Sequence, residues 1–237
     1  LTIEAEDRSG FDWMARAYRW LEYGSFGPLL MRCRVSHLAR MAGRRRALVL
    51  GDGDGRFSAR LLETDGRIHI VALDESAAML ASLERRARGG GAGQRVTTRR
   101  GEIVGLLEAG NFAEEVGGFD LVVSHFFLDC LTTPEVGRVA VEVRRRMGPD
   151  GEWVISEFEG GSLAARMVVA LLYKGFGLLA GLKTQRLPEY REALEASGWK
   201  CVAESRFGGG LLSGTVWRIW SGSVRQICFA ATGESNR

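Results

Sequence analysis

The stretch Leu48-Val49-Leu50-Gly51-Asp52-Gly53-Asp54-Gly55-Arg56-Phe57 decides the fold. Its apolar opening suits a buried strand, and the run from Phe57 to Leu62 begins a helix. Between them stand three glycines at alternate positions. Such glycines let the backbone turn sharply and approach a ligand with no Cβ in the way. The helix that follows presents free N–H groups and a positive dipole end at the same place. A GxGxG run alone carries little weight. Here it has a strand before it, a helix after it, and Asp74 at the end of the next apolar run, Ile68 to Leu73.

Outward from this stretch, short apolar runs alternate with helical patterns, the signature of βαβ units and a parallel sheet. Ser76 to Arg88 reads as a helix, with Arg85, Arg86 and Arg88 suited to its negative dipole end. Arg95 to Arg99 reads as a third strand and Phe119 to Ser124 as a fourth, entered from Gly117-Gly118. Pro134 to Met147 follows as a helix with proline in its first turn. Gly148-Pro149-Asp150-Gly151 predicts a turn before a fifth strand, Glu152 to Ser156. Upstream, Phe11 to Met41 reads as helical and is rich in aromatic residues: Trp13, Tyr18, Trp20, Tyr23 and Phe26. Downstream, Leu187 to Ser197 predicts a helix, and Trp199 to Phe207 and Thr215 to Trp220 a closing pair of strands.

Asp74 lies about 20 residues past the glycine loop, where a carboxylate accepts both hydroxyl hydrogens of a ribose. The competing role is a helix cap ahead of Glu75-Ser76. A dinucleotide fold wants GxGxxG, and Arg56 occupies the place of its third glycine. Asp52 and Asp54 would repel a pyrophosphate, whereas a sulfonium and an α-amino group are cationic. The charge pattern therefore favours S-adenosylmethionine over a nicotinamide dinucleotide.

At these residues the chain resembles the class I S-adenosylmethionine-dependent methyltransferases, and within them the small bacterial enzymes of the ubiquinone/menaquinone-biosynthesis type. VLGDGDG, VALDESAAML, RRGEI, FDLVVSHFFLDCL, GPDGEWVISEF and the ending LPEYREALEASGW carry the resemblance. It implies an α/β fold: a Rossmann-like three-layer sandwich, with a mostly parallel seven-stranded sheet and an antiparallel last strand. It also implies a cofactor-binding set of Tyr18, Gly51, Asp52, Gly53, Gly55, Asp74, Glu75, Met79, Glu102, Ile103, Ser124 and His125. In that set Asp74 holds the ribose, Glu102 and Ile103 border the adenine, and Ser124 and His125 leave the fourth strand toward the transferred methyl. Two departures stand out. Glu102 replaces the usual aspartate, and no NPPY-like tetrapeptide follows the fourth strand, which counts against methylation of DNA bases or glutamine.

Methyl transfer from a sulfonium is an in-line displacement, so orienting the nucleophile is the main task. A base is needed where the acceptor loses a proton. His125 and Asp129, both in HFFLDC, are the candidates, and Glu157 at the end of the fifth strand is a further pocket carboxylate. Each has a plainer role available: a backbone-bonded histidine, a turn-capping aspartate and a solvated strand end. Met167 to Leu182, with Gly175, Gly177 and Gly181, is a candidate apolar lid or a packed helix. A lid of that composition suits a hydrophobic or aromatic small-molecule acceptor.

The 237 residues fit one domain: a helical cap over 1–46, a cofactor-binding core over 47–160, the candidate lid over 161–186 and the terminal helix and strand pair over 187–237. A net charge of +3 from 32 basic and 29 acidic residues argues against a nucleic-acid groove. The runs Arg44-Arg45-Arg46 and Arg144-Arg145-Arg146 look like solvated helix ends. Cys33, Cys130, Cys201 and Cys228 have no metal-ligand spacing, so no metal is expected and a reducing cytoplasm suits them. Met167 to Leu182 falls short of the roughly 20 residues of a membrane span, which leaves peripheral membrane contact open. The alternatives are a nicotinamide-dependent oxidoreductase and a non-catalytic cofactor-binding or assembly protein.

Overall fold

A computed structural model describes residues 27–109, 118–159 and 187–220. The aromatic segment with Tyr18, the Met167–Leu182 segment and Cys228 lie outside the described residues. The glycine stretch forms a strand, β1 (Arg46–Leu50), and a helix, α2 (Arg56–Thr64), as expected. Then follow β2 (His69–Asp74), α3 (Ala77–Gly89), β3 (Val96–Arg100), α4 (Ile103–Glu108), β4 (Phe119–His125), α5 (Thr133–Arg146) and β5 (Met147–Phe158). The chain continues through α6 (Tyr190–Ala196), β6 (Trp199–Phe207) and β7 (Leu212–Ile219).

The strands make one seven-stranded sheet in the order β3-β2-β1-β4-β5-β7-β6. The first five pair in parallel, and β7 runs antiparallel to both β5 and β6. Successive residues of a strand point to opposite faces, and the packing follows that alternation. Leu48, Leu50, Val122, Trp153 and Ile155 join α4, α5 and α6 on one face. Ala47, Val49, Leu121, Val123 and Val154 join α2 and α3 on the other. Two helical layers around a sheet result, the α/β sandwich that the alternation of elements predicts.

The differences from expectation are local. The helix read over Phe11 to Met41 is, in its described part, a helix α1 (Gly27–Arg34), a turn, and a 3-10 turn at Leu38–Met41. α1 packs Leu30 and Cys33 against Leu211 and Leu212 beside β7. Gly148-Pro149-Asp150-Gly151 falls inside β5, where it appears as a break in register opposite Phe119 and Leu121. α6 starts only at Tyr190, after Pro188 and its N-cap Glu189. The arginine runs are not wholly solvated. Arg146 is buried, with Nη2 donating to the Leu107 carbonyl at 2.6 Å, and Arg44 pairs with buried Glu152 at 3.0 Å. Among the described residues no helix is long and apolar enough to cross a membrane, and no cluster of side chains is arranged to hold a metal.

Candidate functional site

The strand order reverses between β1 and β4. In an open parallel sheet the crevice at the carboxyl ends of such strands is where ligands bind. The glycine loop forms one wall of it. Gly51, Gly53 and Gly55 take φ of +64°, +63° and +79°, a region that side chains disfavour. Their surroundings differ. A Cβ on Gly51 would stand 3.0 Å from the Phe127 ring, and one on Gly55 would stand 2.6 Å from the Leu83 Cα in α3. At Gly53 it would meet nothing within 4 Å among the described residues, so on that side this glycine is open. The close approach of helices therefore occurs at Gly55, and Arg56 turns away to pair with Asp54 at 2.9 Å.

The loop carboxylates are engaged by the protein itself. Asp54 also meets Arg86 at 3.1 Å, and Asp52 accepts the Ser58 N–H at 3.0 Å in the first turn of α2. Burial pushes the Asp52 carboxyl up to about 6. Neither acts as the bare counter-charge to a cation that the sequence suggests.

Asp74 ends β2 with Oδ1 accepting the Ser76 N–H at 2.8 Å, and the nearby Gly53 backbone N–H also favours its charged form. Burial raises its pKa above the ordinary carboxylate value. The cap of α3 is Ser76, whose hydroxyl accepts the Met79 N–H at 3.3 Å. Asp74 is thus not the cap of α3 and lies beside the glycine loop. Glu75 is exposed and Met79 half-buried just beyond it. Glu102 is exposed and caps α4, accepting the Val104 and Gly105 N–H groups at 2.9 and 2.6 Å, while Ile103 is buried.

The other wall is the end of β4. Ser124 is fully buried, and its hydroxyl accepts the Trp153 indole N–H at 3.0 Å, toward the core. His125 is 3% exposed, with Nδ1 2.8 Å from the Ser156 hydroxyl and its ring edge-on to Phe57 at 4.2 Å. Burial, with Arg34 and His37 adding to it, holds its pKa well below the usual 6.5, so the imidazole is neutral. Among the described residues its buried Nε2 has no hydrogen-bond partner. The next residue, Phe126, has φ +55°, a strained conformation for an aromatic residue, fixed by its N–H bond to the Ser156 carbonyl at 2.7 Å.

Glu157 is 1% exposed and central rather than solvated. Its Oε1 accepts the Phe127 and Leu128 N–H groups at 3.1 and 2.8 Å, which fastens the loop after β4 to the end of β5. Burial, with the Asp129 charge adding to it, raises its pKa well above the usual glutamate value, and burial pushes Asp129 up to about 6.

The structure thus gathers Gly51, Asp52, Gly53 and Asp74 on one wall and His125, Asp129 and Glu157 on the other. It adds Arg34, Cys33, Phe127 and Ser156, which sequence reasoning did not single out. Parallel pairing of β4 with β5 sets Ser156 beside His125, and that register was the available signal. A hollow of about 250 Å³ lined by Arg46, His69, Arg95 and Phe119 lies at the opposite, amino ends of the strands.

Comparison with known proteins bears on the fold and on the central segment of the chain. Residues 47–151 match the methyltransferase-domain family. The mitomycin 7-O-methyltransferase MmcR superposes with a TM-score of 0.66 at 18% identity, over 90% of this chain and 58% of MmcR. An O-methyltransferase family protein from Burkholderia thailandensis does so with 0.66 at 19% identity, over 94% of this chain and 65% of that one. PigF, solved with S-adenosylhomocysteine, gives 0.56 at 17% identity over 84% and 66%. The chain therefore spans less than two thirds of the length of the first two, 58% and 65%. At these identities the likeness is one of fold. No curated protein matches the sequence.

Proposed function

We propose that the chain transfers the methyl group of S-adenosylmethionine to a small-molecule acceptor of hydrophobic or aromatic character. The observation that carries this reading is Asp74, a half-buried carboxylate at the end of β2, beside a left-handed glycine loop. The family match over residues 47–151 supports methyl-transfer chemistry, and the bound nucleoside of PigF supports the choice of cofactor.

The residues present fit such a nucleoside. Open space at Gly53 accommodates it, and Asp74 receives the ribose hydroxyls. Glu75, Met79 and Ile103 flank the adenine side, and Glu102 stays committed to its helix. Gly51 and Asp52 border the methionine part. When bound, the sulfonium supplies an electrophilic methyl. The chain's own task is to hold the acceptor in line with it and to exclude water. Half-buried Phe126, Phe127 and Phe158 near the ends of β4 and β5 suit an apolar ring.

Incubation with methyl-labelled S-adenosylmethionine and a panel of phenolic, quinol-like and aliphatic hydroxyl compounds tests the reading. Label in an extracted product, with S-adenosylhomocysteine formed in equal amount, is the expected result. Nucleoside binding without transfer to any acceptor would favour a non-catalytic binding protein.

A further inference from the structure

Three observations meet at the ends of β4 and β5. Glu157 is 1% exposed, and its Oε1 is clamped by the N–H groups of Phe127 and Leu128. Among the described residues its buried Oε2 has no hydrogen-bond partner. Asp129 follows Leu128 directly, is the more exposed of the two acids, and is the charged group that acts most strongly on Glu157.

Two carboxylates in one desolvated site do not both ionise readily; one keeps a proton that the pair then shares. A carboxylic acid also resolves the orphaned oxygen, because a protonated Oε2 is a donor, and Asp129 follows directly on the Leu128 whose N–H is held by Oε1 at 2.8 Å. We propose that Glu157 and Asp129 hold one proton between them at neutral pH, and that Asp129 receives the proton of a hydroxyl group on the methyl acceptor.

The assignment rests on the methyl-transfer reading for its second half only. It names the acceptor class as a hydroxyl compound and makes the reaction an O-methylation. The acceptor O–H bond breaks and its proton passes to Asp129. The oxygen forms a bond to the methyl carbon as the carbon–sulfur bond breaks, and that electron pair goes to sulfur. The proton then leaves to solvent. His125 is excluded from this role by its position, since its Nε2 is sealed from solvent and its Nδ1 is bonded to Ser156. Glu157 acts through Asp129 and is a positioning residue.

The groups facing the pair are Cys130 beside Asp129, Cys33 on α1, and Glu75 beyond β2. The two thiols are pushed above their ordinary range by burial and stay neutral, which leaves Glu75 as the charged group among these three neighbours.

Infrared difference spectroscopy of the whole chain, without any ligand, tests the shared proton. One protonated-carboxyl band persisting at pH 7, present in Asp129→Asn and absent in Glu157→Gln, is expected. No such band in the wild-type chain would overturn the proposal. For the base, Asp129→Asn lowers kcat by about 100-fold or more with S-adenosylhomocysteine affinity retained, and removes the acid limb of the pH–rate profile. In Glu157→Gln, which preserves the clamp, the limb remains but titrates in a single step. An unaltered limb and kcat in Asp129→Asn would overturn the base assignment. Failure of the wild-type chain to bind S-adenosylhomocysteine would instead sink the methyl-transfer reading, while the infrared result would still decide the shared proton.

Discussion

Gly55 lies so close to Leu83 that a Cβ added to it would come within 2.6 Å of the Leu83 Cα. This contact sets how α2 sits on α3, and so where the glycine loop opens. Gly55→Ala adds a backbone clash to a left-handed conformation and is expected to destabilise by about 3 kcal/mol. Gly53→Ala meets open space and bears only the conformational cost, about 1–2 kcal/mol. Urea denaturation of the two variants checks the order. Equal losses would mean that the helix contact contributes nothing.

Glu102 separates a structural role from a binding one. It caps α4 through two backbone N–H groups, and replacing such a cap with alanine costs about 1 kcal/mol. Glu102→Ala is expected to lower the melting temperature by a few degrees and to leave nucleoside affinity nearly unchanged. A large loss of affinity at unchanged stability would return Glu102 to the adenine.

The buried hydroxyl of Ser124 is the partner of the Trp153 indole N–H. Removing one partner leaves the other unsatisfied at about 1–3 kcal/mol. Ser124→Ala is accordingly expected to lose that much stability in urea. A stability-neutral variant with impaired methyl transfer would place Ser124 at the reaction instead.

His125 and Asp52 give opposite pH dependences. His125 is neutral in the folded chain, its pKa held below 6.5 by burial with Arg34 and His37. The unfolded chain takes up the proton there first, so stability is full above pH 6.5 and falls as pH drops below it. The Asp52 carboxyl is raised from 3.8 to about 6. Its folded form holds the proton longer, so stability falls as pH rises from 4 to 6 and is level beyond. Melting curves between pH 4 and 8 check both signs: His125→Asn flattens the acid side, and Asp52→Asn flattens the decline between pH 4 and 6.

The alternation of apolar runs with helical patterns made the parallel half of the sheet legible, because a strand buried on both faces reads as a continuous apolar run. The glycine loop and Asp74 were legible for a similar reason, since local backbone demands leave a local mark. Side-chain direction was not. Whether Ser124 turns to Trp153, Asp52 to Ser58 or Glu157 to the loop after β4 depends on partners 29, 6 and 29–30 residues away. The most distant of these meet only when β4 and β5 pair. Glu157 reads in sequence equally as a pocket carboxylate and as a solvated strand end, and only the packed sheet seals it. The cap of α4 by Glu102 was missed because a helix as short as Ile103–Glu108 shows too little periodicity.

The most direct measurement is the thermal stability of the chain with S-adenosylhomocysteine, with NADH for comparison and with Asp74→Ala as control. A ligand at a hundred times its dissociation constant stabilises by about 2.7 kcal/mol, or about 5–10 °C in a domain of this size. That shift is expected with S-adenosylhomocysteine alone, and its loss is expected in Asp74→Ala. A shift with NADH and none with S-adenosylhomocysteine would contradict the methyl-transfer reading.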